Sequence, residues 1–175
     1  ITAVFGKCGG GLAVASAMTD FTFMEGKNGK LFLNSPNAIE GNEISKCDTS
    51  SAAFQSEKAG LVDVVGTEAD IMEEIRALVS ILPANNEDDA SYDECLDDLN
   101  RACEGIENAA ADTALVAAMI SDDNMFFETK RAYAKDMVTG FIRLNGMTVG
   151  VVANRSKVYD EEGNVTEEFD STLSE

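Results

Sequence analysis

Three consecutive glycines, Gly9, Gly10 and Gly11, stand where an apolar stretch gives way to a run of small residues. Over residues 1–23, ITAVFGKCGGGLAVASAMTDFTF, the pattern predicts a buried strand at Ile1–Phe5 and a glycine-rich turn at Gly6–Gly11. A short small-residue helix at Leu12–Met18 and a return strand from Asp20 follow. A backbone without Cβ atoms can take positive φ and lie flush against a ligand. A helix starting at Leu12 leaves its first N–H groups without internal partners, at the positive end of its dipole. Such a turn can hold a developing negative charge, for example the enolate oxygen of a thioester. The same residues also suit a tight strand-to-helix turn in which glycine serves packing alone. A phosphate loop is excluded, because Lys7 precedes the glycines instead of following them. The dinucleotide fingerprint is excluded by the spacing of Gly6–Gly11.

Other chemistry is narrowed by what the chain holds. Its 175 residues contain no histidine, so neither a Ser-His-Asp nor a Cys-His arrangement can form within it. The four cysteines, Cys8, Cys47, Cys95 and Cys103, make no CxxC pair, which leaves few zinc ligands; no metal site is expected. They read as free thiols of a cytoplasmic protein. Thirteen basic against 32 acidic residues give a net charge of −19, which argues against nucleic acid or an anionic membrane as partner. No apolar run reaches the roughly 20 residues a membrane span requires, so no membrane insertion is expected. The first residues lack the basic-then-apolar pattern of a secretory signal. Apolar residues at 45% suffice for a core.

The elements that must position the glycine turn follow in order. Phe21–Met24 and Lys30–Leu33 read as short strands around the turn EGKNG, and Asn37–Glu43 as a loop or single helical turn. Ser51 is an N-cap candidate for a helix to Ala59, stopped by Gly60, with Leu61–Val65 as the next strand. Ala69–Leu82 carries an apolar stripe of Ile71, Met72, Ile75, Leu78, Val79 and Leu82, closed by Pro83. Ala84–Ala90 reads as a polar surface connection. From Glu87 to Asp123 there are twelve acids and one base, Arg101. Tyr92, Cys95, Leu96, Leu99, Cys103 and Ile106 nonetheless keep helical spacing, which predicts an amphipathic helix over Ser91–Ile106 with a solvated acidic face. Asp112 can cap a helix Thr113–Ile120 with Leu115, Val116, Met119 and Ile120 inward. Asn145-Gly146 marks a hairpin between Val138–Leu144 and Met147–Ala153, the second strand buried on both faces. Phe126, Phe127, Tyr133 and Phe141 are read as its supporting core. Arg155–Glu175, with seven acids and two bases, reads as a mobile surface segment.

GKCGGGLAVASAMTDFTFM resembles the glycine-rich segment of biotin-dependent carboxyltransferases, the acyl-CoA carboxylase β-type subunits. The similarity continues through Leu31–Gly41, Ser56–Val65 and Leu82–Asn86, and resumes over Phe126–Asn154. It implies an α/β fold, a partial crotonase (ClpP)-like ββα spiral with an interdomain helical segment. Residues 1–86 would be the C-terminal part of a first crotonase-like domain, 87–124 an acidic helical bridge, and 125–175 the start of a second. Ser50, Ser51 and Gln55 stand where the family usually has two glycines and a histidine.

The resemblance implies that Gly10 and Gly11 are catalytic, supplying backbone donors to the acyl-CoA enolate, with Gly9 and Leu12 binding substrate beside them. The parent reaction would transfer a carboxyl group between carboxybiotin and an acyl-CoA. Donors aimed at the enolate oxygen act where charge develops, and losing one typically costs about 2.7–4 kcal/mol. Biotin would arrive on a carboxyl carrier partner, with a biotin carboxylase or membrane decarboxylase subunits completing a homo-oligomeric assembly. Alternatives are the carboxyltransferase subunit of a sodium-pumping biotin-dependent decarboxylase, a non-catalytic interaction domain, or another crotonase-type enzyme. The chain is expected to be a piece of a longer protein, inactive by itself.

Overall fold

The computed structural model describes residues 1–40, 43–88, 94–160 and 162–170. They form two compact units, Ile1–Arg76 with Lys130–Ala134, and Ala77–Thr129 with Lys135–Glu175.

In the first unit, β1 (Thr2–Val4), β2 (Lys7–Gly9) and α1 (Gly11–Ala17) come from the stretch expected to be strand, turn and helix. The glycine-rich segment is therefore not one continuous turn, because Lys7–Gly9 is a strand of its own. β3 (Thr22–Glu25), β4 (Lys30–Phe32), a single 3-10 turn at Pro36–Ala38, α2 (Ala52–Glu57) and β5 (Val64–Gly66) follow. β1, β3 and β5 make a parallel sheet in the order β1-β3-β5, with Ala3 opposite Phe23 and Met24 opposite Val65. β2 and β4 make a separate parallel pair, Cys8 opposite Leu31, so β3 and β4 do not pair with each other. Alternation of strand and helix is what parallel pairing requires, since its strands need crossovers. Val4, Cys8, Ala13, Met24, Leu31, Ala52 and Val62 form the buried cluster between these elements. Ser51 caps α2 as expected, its side chain accepting from the Phe54 N–H. Among Asn37–Glu43, Gly41 and Asn42 lie outside the described residues.

α3 (Glu68–Ile81) starts with a reciprocal cap. The Asp70 carboxylate accepts from the Thr67 N–H at 2.9 Å, and the Thr67 hydroxyl from the Asp70 N–H at 3.3 Å. Ile71, Leu78 and Ile81 are buried, whereas Met72 and Val79 of the expected stripe are exposed. The apolar band is wider than the face the helix buries, and its flank stays in solvent. Residues 130–134 belong to this unit. Lys130 donates to the Gly60 carbonyl at 2.7 Å and lies 3.5 Å from the buried Asp63 carboxylate. Tyr133, expected to support the later sheet, lies instead against Gly60.

In the second unit, residues 94–105 are not helical. Leu96 and Leu99 are exposed, so the helical spacing has no face to bury. Aspartates compete for the backbone locally: the Asp98 carboxylate accepts from the Asn100 N–H at 2.9 Å. Arg101 pins the segment by donating to Asp97 and to the carbonyls of Met119 and Ser121. Ser91–Asp93 of the expected helix, Tyr92 among them, lie outside the described residues. α4 (Ile106–Ala109) is one turn, and α5 (Thr113–Ile120) is capped by Asp112 as expected. Ala117 is its buried residue, while Leu115 and Ile120 are exposed.

β6 (Phe126–Thr129), β7 (Met137–Leu144) and β8 (Met147–Asn154) form an antiparallel meander, and Asn145 and Gly146 both take positive φ at the hairpin turn. Val138 and Ile142 of β7 are buried, but no residue of β8 is. Among the described strands β8 pairs with β7 alone, so the strand expected to be buried on both faces is an edge strand. Part of the tail expected to be mobile is ordered: β9 (Lys157–Tyr159) and β10 (Val165–Glu168) pair antiparallel. Glu161 and 171–175 lie outside the described residues. At the head of this hairpin Arg155 is buried. Its guanidinium lies 3.5 Å from Asp112, 3.4 Å from Glu128, and donates to the Lys135 carbonyl at 2.8 Å.

Candidate functional site

β2 runs straight into the glycine turn, and Gly10 makes the corner with φ 61° and ψ −135°, a backbone conformation that L side chains resist. It stands at the N-cap of α1, where its carbonyl accepts from Ala13 and Val14 at 3.0 and 3.3 Å. The Gly10 N–H is itself engaged, shared between the carbonyls of Phe32 at 3.1 Å and Leu33 at 3.2 Å at the end of β4. Gly9 lies one residue earlier in the strand, under the Phe32 ring. A Cβ there would stand 2.6 Å from a ring carbon.

Gly11 and Leu12 are the first two residues of α1, and their N–H groups have no acceptor among the described residues. Both residues are exposed. A Cβ built on Gly10 or Gly11 meets nothing within 4 Å, so the outer side of the turn is open to an approaching group. The four residues singled out in the sequence are thus contiguous and divide into two pairs. Gly9 and Gly10 are held against β4, while Gly11 and Leu12 present free donors.

α1 is held down by small polar contacts. The Ser16 hydroxyl donates to the Leu12 carbonyl at 2.9 Å and lies 3.5 Å from the Cys8 sulfur. The Thr19 hydroxyl donates to the Ser16 carbonyl at 2.8 Å and lies 3.1 Å from the Thr2 hydroxyl. A hollow of about 400 Å³ opens beside these residues, lined by Thr2, Val4, Lys7, Cys8, Leu12 and Ser16 among others. No carboxylate among the described residues lines it. What the turn offers a ligand is therefore backbone donors and a helix end, which suit a developing oxyanion, and not a general acid or base.

β4 itself is fastened on its far edge, and sequence reasoning assigned these residues no part in the site. Leu31 N–H donates to the Ser50 carbonyl at 2.9 Å. Asp48 accepts from Lys30 at 2.6 Å and from the Ser50 hydroxyl at 2.6 Å. These contacts, Lys30 first and Ser50 second, hold the Asp48 carboxyl below its ordinary range. The Gln55 carboxamide nitrogen donates to the carbonyls of Thr49 at 2.7 Å and Leu31 at 3.4 Å. The only signal in the sequence was that Ser50, Ser51 and Gln55 stand where the resembling family carries other residues.

Comparison with known proteins matches residues 1–168 to the carboxyl transferase domain family. The chain is 32% identical over 169 residues to the carboxyltransferase subunit of propionyl-CoA carboxylase from Haloferax mediterranei, covering 90% of this chain and 33% of that protein. It is 30% identical, with the same coverage, to the alpha subunit of methylmalonyl-CoA decarboxylase from Propionigenium modestum. Among solved structures it is similar to transcarboxylase 12S with hydrolysed methylmalonyl-coenzyme A bound. The TM-score is 0.75 at 30% identity, over 87% of this chain and 32% of that one. The chain thus spans about a third of the length of these relatives, which are subunits of multi-subunit enzymes, and its fold is crotonase-like. No helix among the described residues is long and apolar enough to cross a membrane. A match over 1–168, together with the shared fold, means that this chain belongs to the carboxyl transferase domain family.

Proposed function

We propose that the protein transfers a carboxyl group between carboxybiotin and an acyl-CoA, and that the Gly10–Gly11 turn holds the thioester enolate oxygen. The observation that carries this reading is the pair of N–H groups at Gly11 and Leu12, two exposed residues beside an open turn, which have no acceptor among the described residues. Gly10 acts as the corner that aims them, and Gly9 lets β2 pass close under Phe32. An enolate oxygen gains charge as the α-carbon loses its carboxyl group or proton, so fixed donors stabilise the transition state more than the bound substrate. The biotin group, delivered on a carrier partner, supplies or receives the carboxyl. The chain's own part is to bind the thioester and orient its oxygen on the turn. Residues 1–86 are read as the C-terminal part of a first crotonase-like domain, 87–124 as an acidic bridge, and 125–175 as the start of a second such domain. The partners are a biotin carboxyl carrier protein and a biotin carboxylase, in a cytoplasmic homo-oligomeric assembly.

Propionyl-CoA and methylmalonyl-CoA, named for the relatives, are the first substrates to test. The relation to a methylmalonyl-CoA decarboxylase subunit favours one second reading: the same half-reaction run toward decarboxylation, with membrane subunits as partners.

The test is Gly11→Pro in the full-length protein with a biotinylated carrier. Proline is tolerated at the first helical position, so the helix is kept while the N–H is removed. The expected result is a fall in kcat of about 10²–10³-fold with the fold intact. An unchanged kcat would overturn the donor role and favour a purely structural turn.

A further inference from the structure

We propose that Gln55 is a positioning residue for the glycine turn. The inference rests on the carboxyltransferase reading above and assigns a residue outside the turn. Among the described residues the Gly10 N–H is anchored through the carbonyls of Phe32 and Leu33, so the end of β4 decides where the amides of Gly11 and Leu12 point. On one edge β4 pairs with β2; on the other it is fastened to the segment leading into α2. Gln55 closes that second edge. Its side-chain nitrogen bonds the Leu31 carbonyl, immediately before Phe32, and the Thr49 carbonyl. Two carbonyl acceptors fix which end of the carboxamide faces them.

The main chain of Gln55 is equally committed. Its N–H donates to the Ser51 carbonyl at 3.0 Å, and its own carbonyl accepts from Leu61 at 2.9 Å and Val62 at 3.3 Å, on the way into β5. One residue therefore ties the cap of α2, the approach to β5 and the middle of β4 to a common reference. Geometry at a reacting centre is sensitive to such support, since a misplacement of about 1 Å can cost about a hundredfold in rate. Gln55 itself lies behind β4 and acts on the turn through it.

The experiment compares Gln55→Leu, which keeps bulk and removes the donor, with Gln55→His, which keeps a ring N–H, both in the full-length protein. Measured are kcat and KM for the acyl-CoA, the melting temperature, and deuterium uptake at the Gly10 amide. For Gln55→Leu the expected result is a kcat about tenfold lower, KM within about twofold, and Gly10 exchange about tenfold faster. Gln55→His should restore most of both. Unchanged Gly10 exchange in Gln55→Leu would overturn the inference whatever the rate does. So would a loss in Gln55→His equal to that in Gln55→Leu, or equal changes in kcat and KM that follow the melting temperature. A wild-type protein that shows Gln55-dependent exchange but no carboxyl transfer would overturn the proposed function and leave the positioning role standing.

Discussion

Gly10 and Gly11 are neighbours that differ in hydrogen bonding, the first engaged with β4 and the second without an acceptor among the described residues, and substitutions separate them. Gly10 needs a positive φ, so Gly10→Pro cannot keep the corner, and loss of activity there would report a broken turn. Gly11→Pro takes away a donor and little else, which makes it the discriminating variant. Asp48 offers a second measurement at this scale. Lys30, and after it Ser50, stabilise its ionised form in the folded state, so its carboxyl titrates lower there than in the unfolded chain. The stabilisation is complete above the unfolded value of about 4 and is lost as pH falls through the folded one. Asp48→Asn is therefore expected to lower the denaturant midpoint at pH 7, by an amount that shrinks as pH falls through the folded value. A midpoint difference that does not shrink as the solution is acidified would show that packing, not charge, is responsible.

Among the elements, the least foreseen is the β9–β10 hairpin and the arginine that precedes it. The composition of 155–175 suggests a segment that stays in solvent, yet Arg155 is buried between Asp112 and Glu128. Asp112 also caps α5, so one carboxylate serves a helix end and a buried cation. Removing one partner of such a pair strands a charge, at about 3–5 kcal/mol. Arg155→Met is expected to cost that much in urea unfolding, and Asp112→Ala at least as much. At the start of α2, Ser51→Ala should cost only about 1 kcal/mol, because the cap is half-buried and water can replace it. Similar costs for Arg155→Met and Ser51→Ala would mean the buried cation is solvated on its own.

For the whole molecule, the proposed chemistry draws on a chain about a third as long as its relatives. In the proposed reaction the glycine turn would provide the oxyanion donors, and no carboxylate among the described residues lines the hollow beside it. The isolated 175-residue chain is expected to show no biotin-dependent carboxyl transfer from acyl-CoA; measured turnover would place every necessary group within it. Short-range physics made several parts of this protein readable from residues alone. Asn145-Gly146 makes a hairpin because both residues accept positive φ, Ser51 and Asp112 cap helices because their oxygens reach the nearest free N–H, and the order of motifs pointed to the family. Only the tertiary structure decided which amide of the glycine run is free, since the Gly10 N–H is taken by carbonyls of another strand. It also decided that 94–105 stays out of a helix and that Arg155 goes inside. Periodicity and composition state what a segment could bury or bond, while the partner that claims it comes from a distant part of the chain.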